Sequence, residues 1–297
     1  MSFNQDLATR AKAAEDIVVS YLPKIEGYQK TVLEAMSYSV KVGGKRLRPI
    51  LISETYKLFG GQDEIINPFM AAMEMIHTYS LVHDDLPAMD NDMLRRGMPT
   101  THAVYGEGMG VLAGDALLNY SMETALKVFE ITDVNPVLAA RALNVLYKKA
   151  GVYGMIGGQV VDVESEASMD MTKDKQDFIY RLKTGALIEA SMMIGAILAG
   201  ATDSEVALIE QVAAKIGLAF QIQDDILDVI GDEATLGKPI GSDEKNQKAT
   251  YITFEGMDKS KADVARLTEE ALDMLSSLNK NNEFLVELLR YLVYRDK

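Results

Sequence analysis

The hydrophobic positions of this chain recur at helical spacing along most of its length. Between Ile65 and Val82 the apolar side chains fall three and four residues apart, which places them on one side of a helix. Several of the predicted helices are apolar on more than one side, which is typical of interior helices or subunit interfaces. No segment alternates at period two with hairpin turns, so the pattern predicts an all-α fold. The other predicted helices cover Val111–Phe129, Pro136–Ala150, Asp174–Gly200, Ser204–Ile230, Lys259–Leu278 and Glu283–Tyr294.

The sequence offers no internal boundary. Its seven prolines stand at breaks between the predicted helices or near their starts, and no repeat, low-complexity tract or Ser/Gly linker divides it. A chain of 297 residues, 48% of them hydrophobic, is long enough to bury one large core. We therefore expect a single domain over residues 1–297.

Composition and charge argue against several classes of function. The chain contains no cysteine, which excludes disulfides and thiolate metal sites. Its net charge is −14 and its basic residues occur in twos and threes, so we expect no nucleic-acid partner. The longest nearly uncharged apolar run, Ala190–Thr202, is too short to span a bilayer, and the N-terminus lacks a secretory pattern. A cytoplasmic protein without stable membrane insertion is expected.

The first of two acidic clusters follows the predicted helix that ends near Val82. Asp84 and Asp90 would diverge on a continuous helix, because they are six residues apart. Pro87 disfavours helical geometry at Leu86, so the chain can turn there and bring Asp90 back toward Asp84.

The second acidic cluster lies on the predicted helix that ends at Ile230. Asp224 and Asp228 are four residues apart and project from one helix face, with Asp225 beside them. Each cluster alone could be a solvated helix end. Two clusters that face each other would suit hard cations that also bind phosphate oxygens, and Mg²⁺ is the natural choice.

Short basic segments accompany the acidic clusters. Gly43–Pro49 places three cations beside a glycine pair, which lets a ligand approach the backbone, and Arg95 and Arg96 follow the first cluster directly. Arginine suits bidentate contact with phosphate, and lysine suits contact as a point charge. Each of these cations alone could be an ordinary surface residue. Isolated lysines follow further along the chain at Lys183, Lys238 and Lys248.

The ordered set of motifs resembles the trans-isoprenyl diphosphate synthases, with the closest match to the bacterial farnesyl diphosphate synthase type. The resemblance runs from about Lys41 to the C-terminus. It implies a bundle of long helices around a deep central cavity, and usually a homodimer. The motifs are GGKRLRP (Gly43–Pro49), HDDLPAMDNDMLRRG (His83–Gly97), GDALL (Gly114–Leu118), GGQVVD (Gly157–Asp162), KTG (Lys183–Gly185), FQIQDDILDVIGD (Phe220–Asp232) and GK (Gly237–Lys238).

The resemblance also implies roles for individual residues. Mg²⁺, as three ions when the allylic substrate is bound, would be held by Asp84, Asp90, Asp224, Asp225 and Asp228. The allylic diphosphate would be contacted by Arg95, Lys183, Thr184, Gln221 and Lys238, and isopentenyl diphosphate by Gly44, Lys45, Arg48, His77 and Arg96. Lys248 matches a lysine near the active-site mouth, although Gln247 and Ala249 depart from the usual flanking residues. The implied catalytic set is Asp84, Asp85, Asp90, Arg95, Lys183, Asp224 and Lys238.

The implied reaction condenses isopentenyl diphosphate with dimethylallyl or geranyl diphosphate to farnesyl diphosphate and releases diphosphate. In the family that the chain resembles, an aromatic residue at this place accompanies fifteen-carbon products, so Tyr79 is expected to limit product length, although it could instead be a core aromatic without that role. It lies five residues before Asp84, about 7.5 Å back along a helix. Ser80 is small, so it leaves room for the growing prenyl chain to reach Tyr79. Tyr79 is more than 100° around an ideal helix from Asp84, so its ring must reach across to act as a floor.

Other functions remain open at this level. A geranylgeranyl diphosphate synthase of the same family would share every motif. A non-catalytic partner subunit would be expected to have lost aspartates from one cluster, and none is missing. A terpene cyclase should lack the basic segment Gly43–Pro49 and should carry a different second metal motif. An acidic helical scaffold would leave the paired motifs unexplained.

Overall fold

The computed structural model describes residues 2–168, 170–230 and 250–294, and its regular elements are almost entirely helical. A π-helical segment, Tyr180–Gly185, and a 3₁₀ turn, Lys127–Glu130, accompany the α-helices. A two-residue antiparallel ladder pairs β1 (Leu94–Arg95) with β2 (Met98–Pro99). The all-α prediction is confirmed. The helices are α1 (Phe3–Ser20), α2 (Lys30–Lys41), α3 (Leu47–Leu58), α4 (Asn67–Asp84), α5 (Thr101–Tyr105), α6 (Glu107–Leu126), α7 (Pro136–Ala150), α8 (Met155–Ser168), α9 (Lys173–Ile179), α10 (Ala186–Leu198), α11 (Asp203–Ile230), α12 (Tyr251–Glu255), α13 (Met257–Ser276) and α14 (Glu283–Tyr294).

The boundaries predicted from apolar spacing agree with some of the observed helices and differ from others. The predicted ranges of α7 and α14 match the structure. The range predicted as one helix, Asp174–Gly200, consists of α9, the π-helical segment and α10, because apolar spacing does not reveal a local change of helical pitch. The individual helices α1, α2, α3, α5, α8 and α12 were not among the predicted ranges, and α1 is one of the more polar of them. It begins with a capping box in which Ser2 accepts the N–H of Gln5 and the Gln5 side chain accepts the N–H of Ser2.

Backbone contacts divide the chain into two compact units. The first comprises Met1–Ser53 and Gln62–Leu143, and the second comprises Glu54–Gly61 and Asn144–Lys297. The expectation of one domain over residues 1–297 stays a prediction.

Helix α4 forms the interior of the first unit and packs against α1, α2 and α6. Its residues Phe69, Met73 and Ile76 have no exposed surface. Burial of each such side chain stabilises the fold by about 1.5–3 kcal/mol. The helix starts with Pro68 in its first turn, where proline's missing N–H costs nothing, and it ends at Asp84. The first acidic cluster is therefore anchored to a well-packed helix of this unit.

Helices α10 and α11 form the interior of the second unit. Every residue of α10 is buried, which confirms the expectation of an interior helix. Helix α11 packs against α10, α13, α14 and the π-helical segment, and its last turns carry the second acidic cluster. Within the described part of the chain, no helix combines the length and the apolar character needed to cross a bilayer.

Candidate active site

The first acidic cluster lies where α4 ends. The carbonyl of Asp84 accepts the N–H of Asp90 at 2.8 Å. The loop between them is closed by the N–H groups of Met89 and Asn91, which both donate to the carbonyl of Leu86, and Asn91 adopts a left-handed φ of 55°. The predicted return of Asp90 toward Asp84 is thus confirmed for the backbone.

Asp85 pairs with Arg95, a predicted contact of the allylic diphosphate. Asp85 is only 3% exposed, and the Nε of Arg95 donates to its two carboxylate oxygens at 2.8 and 3.0 Å. Burial lowers the pKa of Arg95, but the bonds to Asp85 outweigh that effect and the net shift is upward. The short ladder of β1 and β2 carries Arg95 back over the end of α4. Arg95 is therefore charged and oriented by the protein itself.

A pocket of the first unit follows one face of α4. Glu74, His77 and Leu81 line it at three- and four-residue spacing, together with Asp85. The pocket and its solvent-filled mouth together span about 400 Å³. The remaining lining residues are Tyr38, Ser39, Val42, Thr78, Val82, Arg95, Arg96, Pro99, Thr100 and Thr101.

The electrostatics of this pocket, together with Arg48, which does not line it but acts on His77 and Arg96 electrostatically, favour an anion. Arg48 has a buried Nε that finds no hydrogen-bond partner among the described residues. Burial lowers the pKa of Arg48, and the charge of Arg96 lowers it further against the opposing effect of Glu74. Burial, followed by the nearby arginines with Arg48 foremost, holds the pKa of His77 well below its usual value. His77 is therefore neutral at pH 7, and a bound anion would relieve the repulsion between the arginines.

Two residues to which the sequence assigned no role hold this basic face in place. Arg46 is 3% exposed with a φ of 50°, and its Nη1 donates to Oε1 of Glu74 at 2.6 Å. Arg46 also donates to Glu15 and to the carbonyl of Val40. A signal was present in the sequence, because Glu74 is a lone carboxylate in an apolar helix, three residues before His77.

The glycine pair 43–44 admits a protein side chain. Arg96 donates to the carbonyl of Gly43, and a Cβ at Gly44 would lie 2.8 Å from Nη1 of Arg96. The sequence predicts that a ligand approaches the backbone here, whereas in the structure the approaching group is Arg96. The adjacent Lys45 is exposed.

The second acidic cluster lies on α11, in the second unit. Gln221, Asp224 and Asp228 fall three and four residues apart on a continuous helix, so the predicted shared face is confirmed. Asp228 is buried, and Asp224 is half-buried.

Asp225, also in this cluster, is buried and bound by the protein. Its Oδ2 accepts the hydroxyl of Tyr180 and the backbone N–H of Tyr251, each at 2.6 Å. Tyr180 is the first residue of the π-helical segment. The sequence assigned no role to Tyr180, and no local pattern indicates it.

The same π-helical segment carries Lys183 and the half-buried Thr184. Lys183 donates to Oδ2 of Asp162 at 2.6 Å, and Asp162 is buried. A Cβ at Gly158 would overlap the backbone nitrogen of Lys183, so the glycine lets α8 pack directly against this segment. Local π-helical geometry is frequent at functional sites, because it redirects side chains.

Tyr79 and Ser80, the predicted chain-length residues, lie in the penultimate turn of α4. The Tyr79 ring is buried edge-on to His83, with 5.9 Å between ring centroids. Burial, followed by the charge of Asp84, raises the pKa of the Tyr79 hydroxyl to about 12. Ser80 is half-buried and donates to the carbonyl of His77 at 2.9 Å.

Two predicted site residues, Lys238 and Lys248, lie outside the described residues. Within residues 2–168, 170–230 and 250–294, no group of three or more His, Cys, Asp or Glu side chains is arranged to hold a metal ion. The donor chemistry nevertheless fits Mg²⁺, because both clusters supply carboxylate oxygens, the hard ligands that this ion prefers.

Comparison with known proteins identifies the family. A family model described as polyprenyl synthetase matches residues 29–289. The chain belongs to the polyprenyl synthetase family. Within it, the farnesyl diphosphate synthase of Geobacillus stearothermophilus is 40% identical over 298 residues, covering 100% of this chain and 99% of its own. The predicted family and its isoprenoid-synthase fold are thereby confirmed, and the chain is a trans-prenyltransferase.

Two other polyprenyl synthetases extend the comparison. The geranylgeranyl diphosphate synthase of Cyanophora paradoxa is 42% identical over 293 residues, covering 98% of this chain and 95% of its own. The geranyltransferase of Helicobacter pylori, solved in complex with magnesium and isoprenyl diphosphate, is 30% identical, covers 99% of this chain and 97% of its own, and has a TM-score of 0.82. The roles of individual site residues in this polyprenyl synthetase stay predictions.

The depressed pKa of His77 gives a direct test of the basic pocket. Arg48→Met removes a nearby cation while keeping similar length, so it should raise the pKa of His77 toward the ordinary value. Proton NMR titration is suited to this test, because the chain has three histidines. Lys45→Met, which removes an exposed cation, should leave the pKa of His77 nearly unchanged. Equal shifts in the two variants would contradict the assigned electrostatics.

Proposed function

We propose that this polyprenyl synthetase is a Mg²⁺-dependent enzyme that condenses isopentenyl diphosphate with dimethylallyl or geranyl diphosphate to farnesyl diphosphate. The observation that carries the proposal is the arrangement of α4. His77 and Asp84 are seven residues apart on one helix, so they share a face and lie about 10.5 Å apart along its axis. One helix face thus presents a basic pocket and an acidic cluster, which suits one site for each diphosphate.

In the proposal, the basic pocket binds isopentenyl diphosphate. The neighbouring Arg48 is half-buried and has a buried Nε without a partner in the described structure, and a phosphate oxygen would satisfy it. Neutral His77 would contribute a hydrogen bond, and Arg96 would contribute charge. The proposed contacts are Gly44, Lys45, Arg48, His77 and Arg96.

The acidic clusters are proposed to serve the allylic diphosphate through Mg²⁺, with three ions as the resemblance implies. Bound Mg²⁺ would stabilise the negative charge that develops on the leaving diphosphate. The proposed metal-binding side chains are those of Asp84, Asp90, Asp224 and Asp228, with Asp225 in the same cluster. The proposed diphosphate contacts are Arg95, Lys183, Thr184 and Gln221, together with Lys238 and, near the mouth, Lys248.

The proposed reaction needs no nucleophilic side chain. The protein's part is to orient both substrates, to stabilise charge on the leaving group and to exclude water from the allylic cation. Arg95 and Lys183 are already oriented by Asp85 and Asp162, so they would meet the leaving group with little reorganisation. This accounts for the place of Asp85 in the proposed catalytic set.

The proposal also covers the length of the product and the oligomeric state. The relative from Geobacillus stearothermophilus supports a fifteen-carbon product, and the relative from Cyanophora paradoxa supports the twenty-carbon alternative. We propose the former, in a single domain over residues 1–297 that forms a homodimer. Support for the homodimer comes from exposed apolar residues along one side of α6: Val111, Leu112, Met122 and Leu126.

The proposed activity has a direct test. Incubation with isopentenyl diphosphate, dimethylallyl diphosphate and Mg²⁺ should yield farnesyl diphosphate, identified by chain-length analysis. EDTA, Asp84→Ala or Asp224→Ala should each lower turnover by orders of magnitude, because each removes charge stabilisation of the leaving group.

A control variant and a stability measurement accompany this test. Asp273→Ala, which removes an exposed carboxylate from α13, should retain normal turnover. The melting temperatures of the Asp84 and Asp224 variants should stay at or above that of the wild type, because like charges held close are unfavourable. Normal turnover in EDTA would exclude the metal assignment.

Tyr79 provides a test of product length. Tyr79→Ala should shift the products toward twenty carbons or more with little change in the first condensation, because it removes the bulk expected to stop the growing chain. Tyr79→Phe keeps the ring and loses only the hydroxyl, so it should still stop at fifteen carbons. If Tyr79→Ala is active and still stops at fifteen, another residue closes the pocket, such as Met73 further back along α4.

A further inference from the structure

Asp225 has surroundings that differ from those of a solvated aspartate. Its side chain is 6% exposed, and Oδ2 takes two hydrogen bonds of 2.6 Å, from the Tyr180 hydroxyl and the Tyr251 N–H. The Tyr180 oxygen is itself held by the Nε2 of Gln176 at 3.2 Å. Bonds of this length to a carboxylate are typical of charge-assisted hydrogen bonds, which are stronger than neutral ones.

Three elements of the second unit meet at this carboxylate. Asp225 is on α11, Tyr180 begins the π-helical segment, and Tyr251 begins α12. Because Oδ2 accepts hydrogen bonds from two separate elements, the orientation of the Asp225 carboxylate is fixed. The same oxygen is then poorly placed to take a metal ion as well.

We propose that Asp225 is the anchor of the second acidic cluster, not one of its metal ligands, and that Tyr180 is the residue that positions it. This inference rests on the proposed function, because the groups that the anchor would align are the metal-binding carboxylates of Asp224 and Asp228. They flank Asp225 at one and three residues on the same helix.

The anchor also links the second acidic cluster to Lys183. Tyr180 and Lys183 belong to one six-residue π-helical segment, so the Tyr180–Asp225 bond fixes that segment against α11. Asp162 holds the other end of Lys183. Loss of the Tyr180 hydroxyl should therefore weaken the binding of Mg²⁺ and diphosphate together, through Asp225 and Lys183 and not through a contact of its own.

Substitutions at Asp225 separate an anchor from a ligand. Asp225→Asn keeps a carbonyl oxygen that can accept both hydrogen bonds, but it loses the negative charge that makes a carboxylate the usual protein ligand of Mg²⁺. Asp225→Ala loses both. An anchor predicts that asparagine largely rescues the alanine variant. The matched comparison is Asp224→Asn, which should remain as defective as Asp224→Ala.

The experiment measures thermal stabilisation of the full chain by Mg²⁺ in the presence of inorganic diphosphate, and the readout is the Mg²⁺ concentration that gives half of the effect. Tyr180→Phe should raise this concentration about tenfold or more, which corresponds to the lower end of the cost of losing one hydrogen bond to a charged group. Asp225→Ala should raise it at least as much, and Asp225→Asn much less. Tyr251→Phe keeps its N–H on Asp225 and loses only the hydroxyl bond to Asp263, so it should match the wild type.

The outcomes distinguish the inference from the proposed function. A wild-type half-effect concentration in Tyr180→Phe, or equal defects in Asp225→Asn and Asp225→Ala, would overturn the anchor while leaving the enzyme assignment intact. If Mg²⁺ and diphosphate fail to stabilise even the wild type, the proposed function and the anchor fail together. If Tyr180→Phe does not fold, the comparison of Asp225→Asn with Asp225→Ala alone shows whether Asp225 is an anchor or a metal ligand.

Discussion

The buried ion pair between Arg46 and Glu74 is the contact on which the basic face of the first unit depends. It joins the start of α3 to the middle of α4 at 2.6 Å, with both side chains withdrawn from solvent. The charge of Glu74 also counters the repulsion between Arg48 and Arg96. Removal of one partner from such a pair leaves an uncompensated buried charge, which costs about 3–5 kcal/mol. The Arg46–Glu74 pair therefore holds the basic face in place before any anion arrives.

The predicted phosphate-binding cations differ in their hydrogen-bond partners within the protein. Arg95 and Lys183 are each paired with a buried carboxylate, Asp85 and Asp162 respectively. Arg48 instead keeps a buried Nε without a partner in the described structure. Pre-oriented cations reduce the ordering cost of binding, whereas an unsatisfied buried donor gains most when a ligand arrives. Under the proposed function, binding of the allylic diphosphate would depend mainly on pre-oriented cations. Binding of isopentenyl diphosphate would depend mainly on the relief of repulsion between arginines.

The sequence predicted those features that depend on neighbours along the chain. Helices such as α7 follow from apolar spacing, and the return of Asp90 toward Asp84 follows from the effect of Pro87 on the preceding residue. The sequence did not predict the partners of the site residues. Arg46 meets Glu74 across 28 positions and Tyr180 meets Asp225 across 45, so only tertiary packing brings them together. The π-helical geometry at Lys183 was missed for the same reason, because α8 and α11 pack against that segment.

The central claim, that the two diphosphates bind at separate sites, is tested most directly by two-substrate kinetics with single-turnover measurements on Arg48→Ala and Lys183→Ala. Arg48→Ala should raise the KM for isopentenyl diphosphate more than that for the allylic substrate, and Lys183→Ala should show the opposite bias, because each removes a charged contact to one substrate. Lys261→Ala, which removes an exposed cation from α13, should change neither value. Equal effects of both active-site substitutions on both substrates would contradict the account.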